Sequence, residues 1–138
     1  MMVEMAVALP LLLFVAFGMV EFGQYFYIRT TFEAAARDAA RAAILETAAK
    51  ADPTTAATRT LALANVTFNS SWMTIVDYSN SSATVTDCST IPFGHVLIVT
   101  IQATYYQIPN AYRPLYGLTG IGVDNTKVIT AQCQMIKD

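Results

Sequence analysis

Few residues of this chain have a type and spacing that would support catalysis or metal binding. His95 is the only histidine, and no Asp, Glu or Cys stands at metal-ligand spacing from it. The sequence has no glycine-rich phosphate loop, no nucleophile elbow and no pair of carboxylates in one predicted cleft. We therefore expect a protein that is not an enzyme and that uses no cofactor or metal, with His95 at the surface or at a strand end.

Two kinds of covalent modification are predicted from the sequence. Cys88 and Cys133 lie on different predicted strands, and an even number of cysteines in an exported domain indicates one disulfide. The bridge would close a loop of about 45 residues and contribute about 4 kcal/mol to the free energy of unfolding. The Ser/Thr-rich tract also holds three candidate N-glycosylation triplets, of a kind that is common by chance, at Asn65, Asn69 and Asn80.

Glu4 is the only charged residue among the apolar residues 1–20. A carboxylate in apolar surroundings costs several kcal/mol unless it is paired. The nearest partner is the α-amino group of Met1, from the same chain or a neighbouring one, and such a pair at ~4 Å gains about 4 kcal/mol. We predict that this pair sets the axial register between adjacent helices. The alternative is a carboxylate that simply lies in the head-group layer.

The element that positions Glu4 is an N-terminal helix. Residues 5–27 supply the ~20 mainly apolar residues that cross a bilayer, and the aromatic residues at their end suit a membrane interface. Glu21 follows Glu4 by about 26 Å of helix, so we expect the two acids near opposite faces of the hydrocarbon layer. Pro10 removes one helical hydrogen bond and predicts a kink or local melting.

The remainder of the chain predicts an exported α+β domain over residues 51–138, which follows the helix of residues 1–50. An alanine-rich run continues the first helix to about Lys50, and a second helix is expected over 53–65. Beyond it the period changes to two, which predicts strands at 72–78, 82–88, 95–107 and 127–137, with an irregular loop over 107–123. We expect the sheet to pack on the helix around residues 32–45. The net charge of −2 gives no basic surface for nucleic acid.

The N-terminal residues resemble those of TadE-like proteins, which are pseudopilins and minor pilins of the tight-adherence branch of the type IV pilus family. The resemblance rests on Val3-Glu4, Leu9-Pro10-Leu11-Leu12, Gly18, Glu21-Phe22-Gly23 and the later Ala-Ala-Arg-Asp-Ala-Ala-Arg. It implies an inner-membrane prepilin that a dedicated peptidase cuts and that assembly machinery adds to a helical filament.

These observations together predict a type IV pilin-like α+β fold, in which a long N-terminal helix packs on a small antiparallel sheet of about four strands, and a structural function. We expect a subunit that lies in the inner membrane before assembly and in a cell-surface filament of identical copies afterwards. The residues expected to act in assembly are Met1, Glu4, Pro10 and Glu21. One alternative is a bitopic pseudopilin that primes or regulates assembly. Another is a membrane-anchored adhesin that would use the 107–123 loop, with Tyr112 and Tyr116.

Overall fold

One long helix and one antiparallel sheet dominate the architecture. A computed structural model of the chain describes residues 2–45, 52–108, 111 and 114–137. Three positions of the sequence-based predictions, Met1, Lys50 and Tyr112, lie outside these residues. The first helix, α1, spans Met2–Ile44 and continues through Pro10, so the local melting expected there does not occur in the isolated chain.

Two shorter helices follow α1. Helix α2 spans Asp52–Leu63, close to the predicted 53–65. It ends where Asn65 takes a left-handed conformation (φ 56°) and Val66 N–H donates back to the Leu61 carbonyl, a common helix C-cap. Helix α3, Pro114–Thr119, lies within the segment that the sequence predicts to be an irregular loop, so that prediction was wrong for these six residues.

The predicted sheet of four antiparallel strands is confirmed. Its strands are β1 (Met73–Asp77), β2 (Ala83–Thr84), β3 (Val96–Thr104) and β4 (Val128–Ile136), in the order β2-β1-β3-β4. β3 and β4 pair along their full length, from Val96 opposite Ile136 to Thr104 opposite Val128. β2 is much shorter than the predicted 82–88, because the chain leaves the sheet and forms a 3₁₀ turn over Cys88–Thr90.

The core lies between the sheet and the second half of α1. Alternate residues of β3 are fully or almost fully buried, as their spacing predicts: Leu97, Val99, Ile101 and Ala103. On α1 the buried face consists of Ile28, Phe32, Ala35, Ala36, Ala39, Ala40 and Ala43. Phe32 stacks on Trp72 with ring centroids 6.2 Å apart. The alanine stripe therefore serves close packing within the domain, against α2 and the sheet.

Candidate functional site: the exposed half of α1 and the Glu21 clamp

The first half of α1 is an apolar rod that stands outside the core. From Glu4 to Val20 every residue is exposed except Gly18, which is half-buried. Eleven large apolar side chains lie exposed in this part: Met5, Val7, Leu9, Leu11, Leu12, Leu13, Phe14, Val15, Phe17, Met19 and Val20. Soluble monomers rarely expose an apolar surface of this extent, which marks a membrane or protein interface. By length and composition, α1 is also the one helix among the described residues that could cross a membrane.

Glu4 lies in the first turn of this rod and is exposed to solvent in the isolated chain. An acid in the first turn interacts favourably with the helix dipole, by about 0.3–1 kcal/mol at an exposed position. Because Met1 lies outside the described residues, the pair between its α-amino group and Glu4 stays a prediction.

Glu21 has a different environment from the one that its position in the sequence suggests. Its side chain is fully buried, in a part of α1 whose next residues, Phe22 and Gly23, are exposed. The carboxylate accepts two backbone hydrogen bonds: Oε1 from Val123 N–H at 2.9 Å and Oε2 from Tyr116 N–H at 3.1 Å. We call this arrangement the Glu21 clamp, because it holds the segment 116–123 against α1.

Gly122 gives the clamp the room that it needs. Its φ is 151°, a backbone conformation that residues with a side chain rarely adopt. A Cβ placed on Gly122 would lie 2.2 Å from Glu21 Oε1, which is far inside van der Waals contact. The carboxylate can therefore reach Val123 N–H only where residue 122 is glycine.

The segment between Tyr116 and β4 is shaped by short-range bonds that return it to α1. Helix α3 is followed by Gly120, which has a φ of 69° and whose N–H donates to the Tyr116 carbonyl. Asp124 then accepts bonds from Thr126 N–H (3.0 Å) and Thr126 Oγ1 (2.6 Å), which closes a turn just before β4. Hydrogen bonding from Thr126 lowers the pKa of the Asp124 carboxyl.

The structure adds a partner set to Glu21 that the sequence did not indicate. Its carboxylate is bound within its own chain by two peptide N–H groups, while its position at a face of the hydrocarbon layer and its action in assembly stay predictions. Sequence reasoning missed this site because its donors lie 95 and 102 residues away along the chain. The clamp also joins the Tyr116 backbone to α1, and the adhesive use of the 107–123 loop stays a prediction.

His95 and Asp77 form a second polar contact, at the start of β3. His95 Nδ1 lies 2.8 Å from Asp77 Oδ2, and Asp77 is buried while His95 keeps 29% of its side-chain exposure. The hydrogen bond from His95 is the main reason that the pKa of the Asp77 carboxyl is lowered. The histidine occupies a strand end, as its sequence position indicated. Within residues 2–45, 52–108, 111 and 114–137, no group of three or more His, Cys, Asp and Glu residues could hold a metal ion.

The predicted disulfide is not formed in the structure, where Cys88 and Cys133 are both free thiols. Cys133 lies in β4, half-buried on the same side as the buried residues Ile129 and Ala131. Cys88 was expected on a strand but begins a 3₁₀ turn, because the Asp87 side chain accepts a bond from Ser89 N–H and caps that turn. Burial raises the pKa of the Cys88 thiol.

The three candidate glycosylation sites are all exposed. Asn65 ends α2, and Asn80 lies in the turn between β1 and β2. The Asn69 side-chain oxygen accepts bonds from Ser71 N–H and Ser71 Oγ, which caps the 3₁₀ turn before β1. Modification at these positions stays a prediction.

Comparison with known proteins bears on the N-terminal helix. A family model described as TadE-like protein matches residues 1–41, which confirms the resemblance of this region to that family. Searches of curated proteins and of solved structures found no match to the chain. The matched region contains the whole apolar rod, Glu4 and Glu21, and it stops near the end of α1.

Proposed function

We propose that this chain is a structural subunit of a type IV pilus-like filament of the tight-adherence type and that it assembles through the first half of α1. The observation that carries the proposal is the division of one continuous helix. Its second half is packed into the domain, whereas residues 4–20 expose an apolar surface that the domain does not cover. The TadE-like match over residues 1–41 supports a pilus-related role for this same helix.

The apolar rod needs shelter from water at every stage. Each of its eleven exposed large side chains gains about 1.5–3 kcal/mol on burial, so the whole rod gains on the order of 15–30 kcal/mol. A bilayer satisfies this requirement before assembly. A bundle of identical helices satisfies it equally well afterwards, because lipid tails are about as apolar as Leu side chains. We therefore propose an inner-membrane subunit that becomes part of an extracellular filament, after processing by a prepilin peptidase and with the help of assembly machinery.

The free energy of apolar burial hardly depends on the axial offset between neighbouring helices. Polar groups must therefore determine their register. Glu4 is the acid that the exposed half of α1 presents to a neighbouring helix. Its pair with an α-amino group, of its own or a neighbouring chain, gains about 4 kcal/mol at ~4 Å and an effective dielectric near 20, which corresponds to a preference of about a thousandfold for the correct register. This energy is lost whenever two helices slip, since the carboxylate then lies among apolar side chains.

The proposal is tested with Glu4→Ala and Glu4→Gln in cells that make the pilus. Glu33→Gln is the matched control, because Glu33 lies on the same helix beyond the rod and makes only a solvent-exposed pair with Arg29. Both Glu4 variants should remain in the membrane fraction after alkaline carbonate extraction but should be lost from sheared filaments seen by electron microscopy. The control should assemble normally.

Two results would contradict the proposal at different points. Filaments that form normally from Glu4→Ala would remove the role of Glu4 in register. Wild-type chain that purifies only as detergent-solubilised particles, and never within a fibre, would favour the bitopic pseudopilin that primes or regulates assembly.

A further inference from the structure

Two adjoining cavities run along one side of α1, just beyond the apolar rod. The first has a volume of about 370 Å³ and lies between Phe22, Tyr25 and Phe26 of α1 and the segment Gly122–Lys127. The second has a volume of about 240 Å³ and continues from it between Arg29 and the start of β4. Tyr25 and Lys127 line both cavities, which are therefore neighbours, and we call the two together the boundary groove.

The walls of the boundary groove are well defined. The α1 wall consists of residues 22, 25, 26 and 29, whose spacing of i, i+3, i+4 and i+7 places them on one face of the helix. The opposite wall includes Gly122 and Val123, which the Glu21 clamp holds in place. The groove is thus a consequence of the clamp, because release of Val123 from Glu21 would free this wall.

The α1 wall of the groove changes from aromatic to charged along the helix. At the end next to the apolar rod, Phe22 and Phe26 are 48% and 56% exposed. Arg29 lines the other end, and Lys127 on the opposite wall lines both cavities. Two carboxylates lie near these cations. Asp124 lines the groove, and Glu33 Oε1 lies 3.6 Å from Arg29 Nε in an exposed pair. Such an exposed pair is worth only about 0–1 kcal/mol, so Arg29 can exchange it for another anion at little cost.

The position of the groove along α1 matches the surface of a membrane. A hydrocarbon layer of about 30 Å that begins at Met5 ends near Tyr25, at 1.5 Å per helical residue. Phe22 then lies at the edge of the acyl chains, and Arg29 lies about 6 Å beyond Tyr25, within the head-group layer. The apolar end of the groove therefore faces the acyl chains and its charged end faces the head groups.

We propose that the boundary groove binds one phospholipid with a zwitterionic head group that carries a primary ammonium. The phosphate lies against Arg29 and Lys127, the ammonium donates to Asp124 or Glu33, and the glycerol and first acyl carbons lie along Phe22 and Phe26. Asp124 in the groove and Glu33 beside Arg29 supply the acceptors that a primary ammonium needs, which favours this head group over an anionic one. A choline head group fits less well, because its quaternary nitrogen has no N–H to donate. The inference rests on the proposed membrane location of α1 but not on filament formation.

The test is native mass spectrometry of the full chain in detergent micelles, titrated separately with phosphatidylethanolamine, phosphatidylcholine, phosphatidylglycerol and diacylglycerol of the same acyl composition. We expect one phosphatidylethanolamine per chain and weaker binding of the other three. Soluble glycerophosphoethanolamine, added as a competitor, separates the contribution of the head group from that of the acyl chains. It should displace the lipid only at much higher concentration.

Variants then locate the site. Loss of a charge-assisted bond to phosphate should weaken phosphatidylethanolamine binding by about tenfold or more in Arg29→Ala and in Lys127→Ala. Arg37→Ala is the matched control, because Arg37 is an exposed cation on α1 outside the groove, and its lipid affinity should equal that of the wild type. The emission of Trp72, the only tryptophan, verifies that each variant is folded.

Several outcomes would overturn the inference. Diacylglycerol could bind as tightly as phosphatidylethanolamine, or phosphatidylglycerol could bind more tightly than phosphatidylethanolamine. The affinity for phosphatidylethanolamine could also be unchanged in the Arg29→Ala/Lys127→Ala double variant. The result is separable from the proposed function through Glu4→Ala, which should lose filaments and keep the lipid. If filaments form from a chain that binds no lipid, only the proposed lipid site is contradicted. If alkaline carbonate extracts the chain from membranes, the proposed membrane location is contradicted as well.

Discussion

Replacement of Glu21 by Gln should destabilise the domain by about 2.5–6 kcal/mol, although it changes only one heavy atom of the side chain. The carboxylate receives N–H donors at both oxygens, from Val123 and from Tyr116. The Gln side-chain oxygen can accept one of these bonds. Its NH₂ group, which is a donor, then faces the other peptide N–H, which is also a donor. The loss combines one charge-assisted hydrogen bond, about 1.5–3 kcal/mol, with a buried N–H left without an acceptor, about 1–3 kcal/mol. Glu21→Ala removes both bonds and leaves both peptide N–H groups without this acceptor, so it should cost at least as much as Glu21→Gln.

The measurement is denaturant unfolding of the full chain in detergent micelles, followed by Trp72 fluorescence. Trp72 suits this purpose because it is buried in the core and stacks on Phe32, so its emission reports on the packing of α1 against the sheet. Glu33→Gln serves as the control for loss of an α1 carboxylate and should shift the free energy of unfolding by less than about 0.5 kcal/mol. Amide hydrogen exchange of the Glu21 variants should accelerate at Val123 and Tyr116 first.

Gly122 supplies an independent test of the same geometry. Gly122→Ala should destabilise the chain both by its unfavourable φ and by the contact of the new Cβ with Glu21 Oε1. Gly120→Ala is the matched control for backbone strain alone, because Gly120 also has a positive φ but has open space around its missing Cβ. The steric part of the Gly122→Ala effect should disappear when Glu21 is already Ala. A Glu21→Gln variant as stable as the wild type, or additive effects in this double-mutant cycle, would refute the clamp.

Three further predictions concern the domain itself. Ala39→Leu should lower the free energy of unfolding by about 1–3 kcal/mol in the same fluorescence assay, because Ala39 is fully buried where α1 packs on the rest of the domain. The lowered pKa of the Asp77 carboxyl means that its ionised form stabilises the fold above the unfolded pKa of about 3.9 and that this contribution is lost as the pH falls through the folded pKa. The denaturant concentration at the unfolding midpoint, measured at a series of pH values from 6 to 2, should therefore decrease once the pH is below about 4. The decrease should be less steep in His95→Ala. Alkylation at neutral pH without reductant, followed by mass spectrometry, should label Cys133 faster than Cys88, because Cys88 is buried and the pKa of its thiol is raised. A disulfide between the two cysteines would block the labelling of both.

The parts of the fold that the sequence could predict are those that depend on local periodicity. The alternation from Leu97 to Ala103 places every second side chain of β3 in the core, and β4 shows the same period of two. The alanine-rich run extends α1 beyond the apolar residues, and the second helix begins close to the predicted residue 53. Each of these signals is complete within a few residues of the chain, so no knowledge of tertiary contacts is required to read it.

The parts that could not be predicted depend on partners that are distant in the sequence or on competing short-range bonds. Hydropathy cannot distinguish an acid at a membrane surface from one that is buried against the peptide groups of residues 116 and 123. The only local hint was the glycine pair at 120 and 122, which turn propensity explains equally well. Cys88 appeared to lie on a strand because its neighbours alternate, but the side-chain cap from Asp87 outweighs that weak preference and ends the sheet early.

The contrast between Glu4 and Glu21 explains how one helix can serve both the domain and an assembly. A carboxylate near apolar surroundings must find donors, and Glu21 finds them in its own chain, where they fix the loop before β4 onto α1. Variants of Glu21 should therefore act first on folding, with any loss of filaments following from loss of the domain. Glu4 lies on the exposed part of α1, about 26 Å from Glu21, so its variants should leave the Trp72 unfolding curve unchanged and act only on assembly. A Glu4 variant that unfolds more easily than the wild type would show that the two acids do not divide these functions.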